Sequence, residues 1–239
     1  MKITKFITTV LIAIITVQAQ AFSEKVKGNG KITTEQRTTG SYDRISIGGS
    51  FRVELVSGKE GNITIKAESN LTKYIITEVK NGTLKIHWKR NVNVSHKKPI
   101  HITIPFTEID GVSLGGSGKV TSSTTIKVDE MQLSLSGSGN MNLTIDASSL
   151  KTQISGSGGI KLSGNSGSMD CSISGSGNFN SYELNVGDTT AKVSGSGNIK
   201  VTVNGKLNAK ISGSGNIRYR GNPTTEIIKV SGSGHVTKN

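Results

Sequence analysis

Proline, cysteine and aromatic side chains are all scarce in this chain. It has three prolines and one cysteine, and Phe, Trp and Tyr together make up 4% of its 239 residues. Apolar residues of every kind reach only 33%, low for a globular protein. A sandwich core filled by bulky side chains is hard to build from that set, whereas a narrow core lined by aliphatics is not. Thirty glycines beside so few prolines exclude collagen and a Pro-rich linker. The single cysteine, Cys171, excludes an internal disulfide. Beyond the first residues, no apolar run is long enough to cross a hydrocarbon layer of about 30 Å.

Those first residues read as a secretory signal. Lys2 and Lys5 form a basic start, Phe6 to Val17 is apolar apart from threonines, and Ala19-Gln20-Ala21 is a small-x-small cleavage site. Residues 1–21 are therefore expected to be a signal peptide and Phe22 the first mature residue. The whole chain carries a formal charge of +13, and loss of Lys2 and Lys5 leaves 13 − 2 = +11. That charge attracts anionic polymers or an anionic envelope surface. In an exported protein it points to acidic glycan or lipid headgroups, and not to nucleic acid.

What the chain has in abundance is a repeat. Gly-Ser-Gly begins at Gly116, Gly137, Gly156, Gly175, Gly195, Gly213 and Gly232, a period near 19 residues that marks a repeat architecture. Two positions before each lead glycine stands an aliphatic: Leu114, Leu135, Ile154, Ile173, Val193, Ile211 and Val230. Four positions after it stands another apolar residue: Val120, Met141, Ile160, Phe179, Ile199, Ile217 and Val236. Serine precedes six of the seven lead glycines, and asparagine lies three positions after four of them. Strands rise about 3.3 Å per residue, so such a period accommodates three short strands and three bends. One period is then one coil of a parallel β-helix. Equivalent residues stack about 4.8 Å apart, and seven coils span roughly 30–35 Å. The expected fold is an all-β, three-sided β-solenoid over residues 111–239.

Alternation of period two places the aliphatics inside and the serines and asparagines outside. The Gly-Ser-Gly element is either extended or sharply bent, and a bend using positive φ at glycine is the favoured reading. Cys171 falls in the column of Val112, Leu133, Thr152, Ala191, Ala209 and Ile228, so it reads as a small core residue and not as a reactive thiol.

Residues 41–110 alternate as strands without the repeat signature. Ile45-Ser46-Ile47 leads into Gly48-Gly49-Ser50, Asn70-Leu71-Thr72 marks a short helical turn, and Asn81-Gly82 between Ile75–Val79 and Leu84–Trp88 is a hairpin signal. This region is expected to feed the solenoid and cover its first coil. Residues 22–40 show no strong pattern and read as a flexible arm. Thr237-Lys238-Asn239 is a thin polar end, leaving a strand edge open to homo-oligomer formation.

Catalytic and metal signals are weak. Lys, Asn, Gly or His follows Gly-Ser-Gly, never the Asp of a calcium-binding β-roll. Asp129, Asp188 and Glu226 share one offset from their glycines but sit in coils one, four and six, too far apart for paired-carboxylate chemistry. His101 and His235 read as outward-facing strand residues. No catalytic residue, metal site or cofactor is assigned. The densest cationic stretch supplies the candidate binding residues: His87, Trp88, Lys89, Arg90, Lys97 and Lys98. There a glycan would meet cations, with Trp88 as a stacking platform.

Taken together, the Ser-Gly-Ser-Gly-Asn coils, the Ile45…Gly48-Gly49-Ser50-Phe51-Arg52-Val53 element, the Asn70-Leu71…Asn81-Gly82-Thr83-Leu84-Lys85-Ile86 hairpin and Ile102-Thr103-Ile104-Pro105 resemble the head GIN domain of putative autotransporter adhesins. The similarity spans about residues 41–236. It implies a three-sided β-solenoid after a β-rich start, exported from a Gram-negative cell to the periplasm or surface. The family supplies no catalytic residues to carry over, and the chain shows no translocator barrel. The expected function is non-catalytic adhesion or surface interaction. The alternatives are a polysaccharide-degrading enzyme on the same scaffold and a self-assembling envelope protein.

Overall fold

The structure is a computed structural model that describes residues 24–239; the expected signal peptide lies outside the described residues. The early strands are β1 (Glu24–Lys27), β2 (Ile32–Thr38), β3 (Arg44–Gly48), β4 (Arg52–Ser57), β5 (Asn62–Glu68), β6 (Ile75–Lys80), β7 (Thr83–Trp88), β8 (Val92–Ser95), β9 (His101–Phe106) and β10 (Gly111–Gly116). The repeat continues as β11 (Lys119–Gly137), β12 (Asn140–Gly156), β13 (Gly159–Gly175) and β14 (Asn178–Gly195), then β15 (Asn198–Val203), β16 (Lys206–Gly213), β17 (Asn216–Arg220), β18 (Thr225–Ser231) and β19 (His235–Lys238). The expected β-solenoid is borne out, with its seven coils stacked in parallel and in register. Gly116 pairs with Gly137, Gly137 with Gly156, Gly156 with Gly175, Gly175 with Gly195, and Gly195 with Gly213.

The Gly-Ser-Gly element is bent. All seven lead glycines have φ between +108° and +125°, a region that side-chain-bearing residues rarely enter. At the bend the coils nearly touch. A Cβ on Gly137 would lie 2.6 Å from the carbonyl oxygen of Gly116. A Cβ on Gly139 would lie 2.7 Å from that of Gly118 and 2.8 Å from Leu114 Cδ2. Close approach lets one carbonyl serve two donors. Gly116 O accepts from Ser138 N at 3.0 Å and Gly139 N at 2.9 Å, and Gly137 O accepts from Ser157 N at 3.0 Å and Gly158 N at 2.9 Å. At these two corners both N–H groups that follow the lead glycine are thereby satisfied.

Within each coil the alternating aliphatics fill the interior. Leu135, Met141, Leu143, Ile145 and Leu150 are buried in one coil, and Cys171 lies between Thr152 and Ala191 in the core. Coils of unequal length differ at the second corner. Thr121 to Thr125 spans the same register as Asn142 to Thr144, so the two extra residues of the longest coil bulge out there.

The region before the repeat departs from the expected cap. Instead of simply covering the first coil, β3 and β4 form a further layer of the same stack, paired in parallel with β10 and β11. On its other side β7 and β9 add another parallel layer. The chain therefore builds the second layer first, then the outermost one, then returns past both to begin the repeat. Antiparallel strands seal that end: β6 pairs with β7, while β5 pairs with β9 and β2. The Asn81-Gly82 hairpin is present, with φ of 50° and 69° at its turn, as is the short helical turn at Thr72–Tyr74, without a side-chain cap. Residues 24–38, expected to be a flexible arm, are instead strands β1 and β2, held by β8 and β5. Their alternation is too polar to read as a core-facing strand, because β2 covers its neighbour from outside.

If the bend sets the stack, Gly137→Ala meets both a forbidden φ and a carbonyl within contact distance. Chemical denaturation should show a loss of about 3 kcal/mol or more, while Ser157→Ala, at an exposed position of the next bend, should leave the midpoint nearly unchanged.

Candidate functional site

The expected cationic site is divided by its surroundings. The Trp88 ring lies on Phe51, centroids 4.9 Å apart at 42°, and would sit 3.1 Å from a Cβ on Gly49. It packs against the core, covering the bend of the β3–β4 layer, and is not a free stacking platform. His87 Nδ1 lies 2.8 Å from the Trp88 carbonyl, and His87 Nε2 lies 3.7 Å from Glu78, which also pairs with Lys80 at 2.9 Å. The stretch that holds no acid in sequence thus meets one in space. Lys89, Arg90, Lys97 and Lys98 are exposed on the turns that flank β8.

Below that turn Glu68 is fully enclosed. Its carboxylate accepts the backbone N–H of Gly30, of Lys97 at 2.8 Å and of Lys98 at 3.3 Å. Burial pushes its pKa up, but the three backbone donors and the Lys97 charge outweigh it and hold the carboxyl below its ordinary value of 4.5. Glu68 is a clamp that ties the entering chain to the 96–98 turn.

A broader cationic surface lies elsewhere. Three faces surround the core. The face that follows the bend displays two outward columns set by register. One runs Arg52, Lys119, Asn140, Gly159, Asn178, Asn198, Asn216 and His235, and the other Glu54, Thr121, Asn142, Lys161, Asn180, Lys200, Arg218 and Thr237. Asparagine amides stack into a ladder: Asn198 Nδ2 donates to Asn178 Oδ1 at 3.2 Å, and Asn216 Nδ2 to Asn198 Oδ1 at 3.2 Å. At the second corner the Tyr182 ring carries the Arg220 guanidinium 4.1 Å from its centroid and Lys200 Nζ at 5.9 Å. Two shallow depressions on this face share Lys119 and Asn140. One also has Arg52 and His96, the other Asn142 and Lys161, and no carboxylate lines either. Glu183 is close by, paired with Lys161 at 3.2 Å.

Carboxylates concentrate on the third face and at its edges, where Glu108, Asp129 and Asp146 line a depression with Lys127. Most others already have partners. Asp170 pairs with Lys192 at 3.4 Å, Asp110 with Arg44 at 2.7 Å, and Asp188 accepts Lys206 N at 2.8 Å. Asp129, Asp188 and Glu226 remain on separate coils. Among the described residues there is no group of three or more His, Cys, Asp or Glu side chains placed to hold a metal. Burial pushes the Cys171 thiol up to about 12, so it is not a nucleophile at neutral pH.

Residues 41–223 match the family model described as putative auto-transporter adhesin, head GIN domain. The chain belongs to this family. Among solved structures, a putative adhesin from Bacteroides fragilis aligns over 90% of this chain and 100% of its own, at 23% identity and a TM-score of 0.84. A protein from Parabacteroides distasonis titled a putative lipid binding protein aligns over 90% and 100%, at 26% identity and 0.75. A putative adhesin from the same species aligns over 90% and 100%, at 25% identity and 0.72. No curated protein matches the chain.

The Glu68 clamp gives a signed pH dependence. A lowered carboxylate pKa stabilises above about pH 4.5, and that contribution is lost as pH falls through the folded-state value. Protection of the Gly30 and Lys97 amides, relative to their intrinsic exchange rates, should be high at pH 7 and fall as pH drops through the lowered folded-state value of Glu68. Glu68→Gln, which turns an N–H donor toward N–H donors, should lose that protection at both pH values. Equal protection in the variant at pH 7 would remove the clamp.

Proposed function

We propose that this chain is an exported, non-catalytic surface-interaction protein that binds an anionic cell-surface polymer along the face following the bend. The observation that carries this reading is the segregation of charge there: Arg52, Lys119, Lys161, Lys200, Arg218 and Arg220 recur against only Glu54 and Glu183. A flat β-face with cations and amide donors at intervals of the coil spacing, about 4.8 Å, suits an extended polymer with repeated carboxylate or sulfate groups. Asparagine amides supply hydrogen bonds that discriminate sugar hydroxyls from simple salt, while the cations supply attraction and rate. Export follows the signal-like start and the family's adhesin description. Asp129, Asp188 and Glu226, which share one offset from their glycines, lie on separate, non-adjacent coils, which disfavours a carboxylate pair built from that offset.

The test is binding of residues 22–239 to immobilised acidic and neutral polysaccharides at rising salt. Acidic polymers should be retained and released by salt, with Lys119→Glu/Lys161→Glu weakening retention at least tenfold, about 1.4 kcal/mol. Equal retention on neutral polymer, or shortening of the polymer by the protein, would contradict the reading.

A further inference from the structure

Charge is also uneven along the solenoid axis. Residues 107–185 contain four Lys or Arg and seven Asp or Glu, whereas residues 186–239 contain eight and two, a net +6. In these last coils the cations stand on one another. Lys192, Lys210 and Lys229 occupy successive positions of one column, and Lys200 and Arg218 of another on the far side of the bend. Like charges in register destabilise a sheet. Lys192 is relieved by Asp170, but among the described residues neither Lys210 nor Lys229 has a carboxylate within ion-pair distance.

Beside these cations lies a cluster of exposed large hydrophobic side chains. Ile227, Ile228 and Val230 are 49%, 44% and 43% exposed, three of the four exposed large hydrophobic side chains among the described residues. Ile228 and Val230 continue the core columns of Ala209 and Ile211 into the last coil of the described residues. Strands β18 and β19 are paired in register along one edge only, to β16 and β17, which leaves N–H donors on the other. The opposite end of the stack is sealed by antiparallel strands.

An apolar tip flanked on one face by Lys210 and Lys229, with free backbone donors, is complementary to a layer of lipid phosphates over acyl chains. A second copy of the chain is a poorer fit. Glu226 sits in the core column of Leu207, an inward charge of the kind that blunts an edge against pairing. We propose that the last coil is a docking tip for an anionic membrane surface, with Lys210 and Lys229 contacting headgroup phosphates and Ile228 and Val230 entering the headgroup–acyl boundary. This site is separate from the polymer-binding face and does not rest on it.

Co-sedimentation of residues 22–239 with vesicles of phosphatidylcholine, with or without phosphatidylglycerol, tests the proposal. Binding should require phosphatidylglycerol and fall with salt. Lys210→Gln/Lys229→Gln should weaken it about 30-fold, as expected for two headgroup-facing lysines. Ile228→Ser/Val230→Ser should weaken it at unchanged charge, whereas Lys127→Gln in the central coils should not. Circular dichroism of each variant checks the fold. Absence of binding, equal binding to neutral vesicles, or an effect of Ile228→Ser/Val230→Ser only on a concentration-dependent dimer in sedimentation velocity would overturn it.

Discussion

Everything in this molecule depends on how closely one coil approaches the next at the Gly-Ser-Gly bend. There a carbonyl oxygen occupies the place where a Cβ would be. Two glycines are needed for different reasons: the first adopts positive φ to turn the corner, and the second leaves room for the coil beneath. With that approach enforced once per period, the rest of each coil is brought into register. Aliphatics fall on aliphatics, and a narrow, mainly aliphatic core forms. The low apolar content follows from this geometry, because a coil buries only one residue in two and shares it with both neighbours.

Register has a second consequence, on the outside. A strict column repeats whatever chemistry the sequence places at one offset, so small biases become extended surfaces. Lysine or arginine five positions after the lead glycine, at Lys161, Lys200 and Arg218, and lysine three before it, at Lys192, Lys210 and Lys229, become stripes. These stripes store electrostatic repulsion, which the proposed anionic polymer and lipid surface would relieve.

The repeat, the bend, the buried cysteine and the Asn81-Gly82 hairpin were legible in the sequence because each is local or strictly periodic. The two out-of-order layers were not. Residues 44–57 and 83–106 stack on strands far along the chain, and only Gly48-Gly49-Ser50 hints at the shared bend, with Phe51 where the repeat has its second glycine. Sequence clustering drew attention to His87–Arg90, but Trp88 was needed to cover Phe51, and Glu78 arrived from the other arm of the hairpin. The cationic columns were available in principle. They lie at constant offsets from the repeat glycines, as the apolar columns do, and not as neighbours along the chain.

The central claim is that equivalent side chains lie over one another along a common axis, and distances between spin labels measure this directly. In a Cys171→Ala background, labels replacing Ser136 and Ser212 lie four coils apart, and those replacing Ser136 and Ser231 five. The predicted separations between labelled backbone sites are about 19 Å and 24 Å, and about 29 Å for Gly115 with Ser231, a linear increase of about 4.8 Å per coil. Distances that fail to rise in proportion to the number of intervening coils would contradict the account.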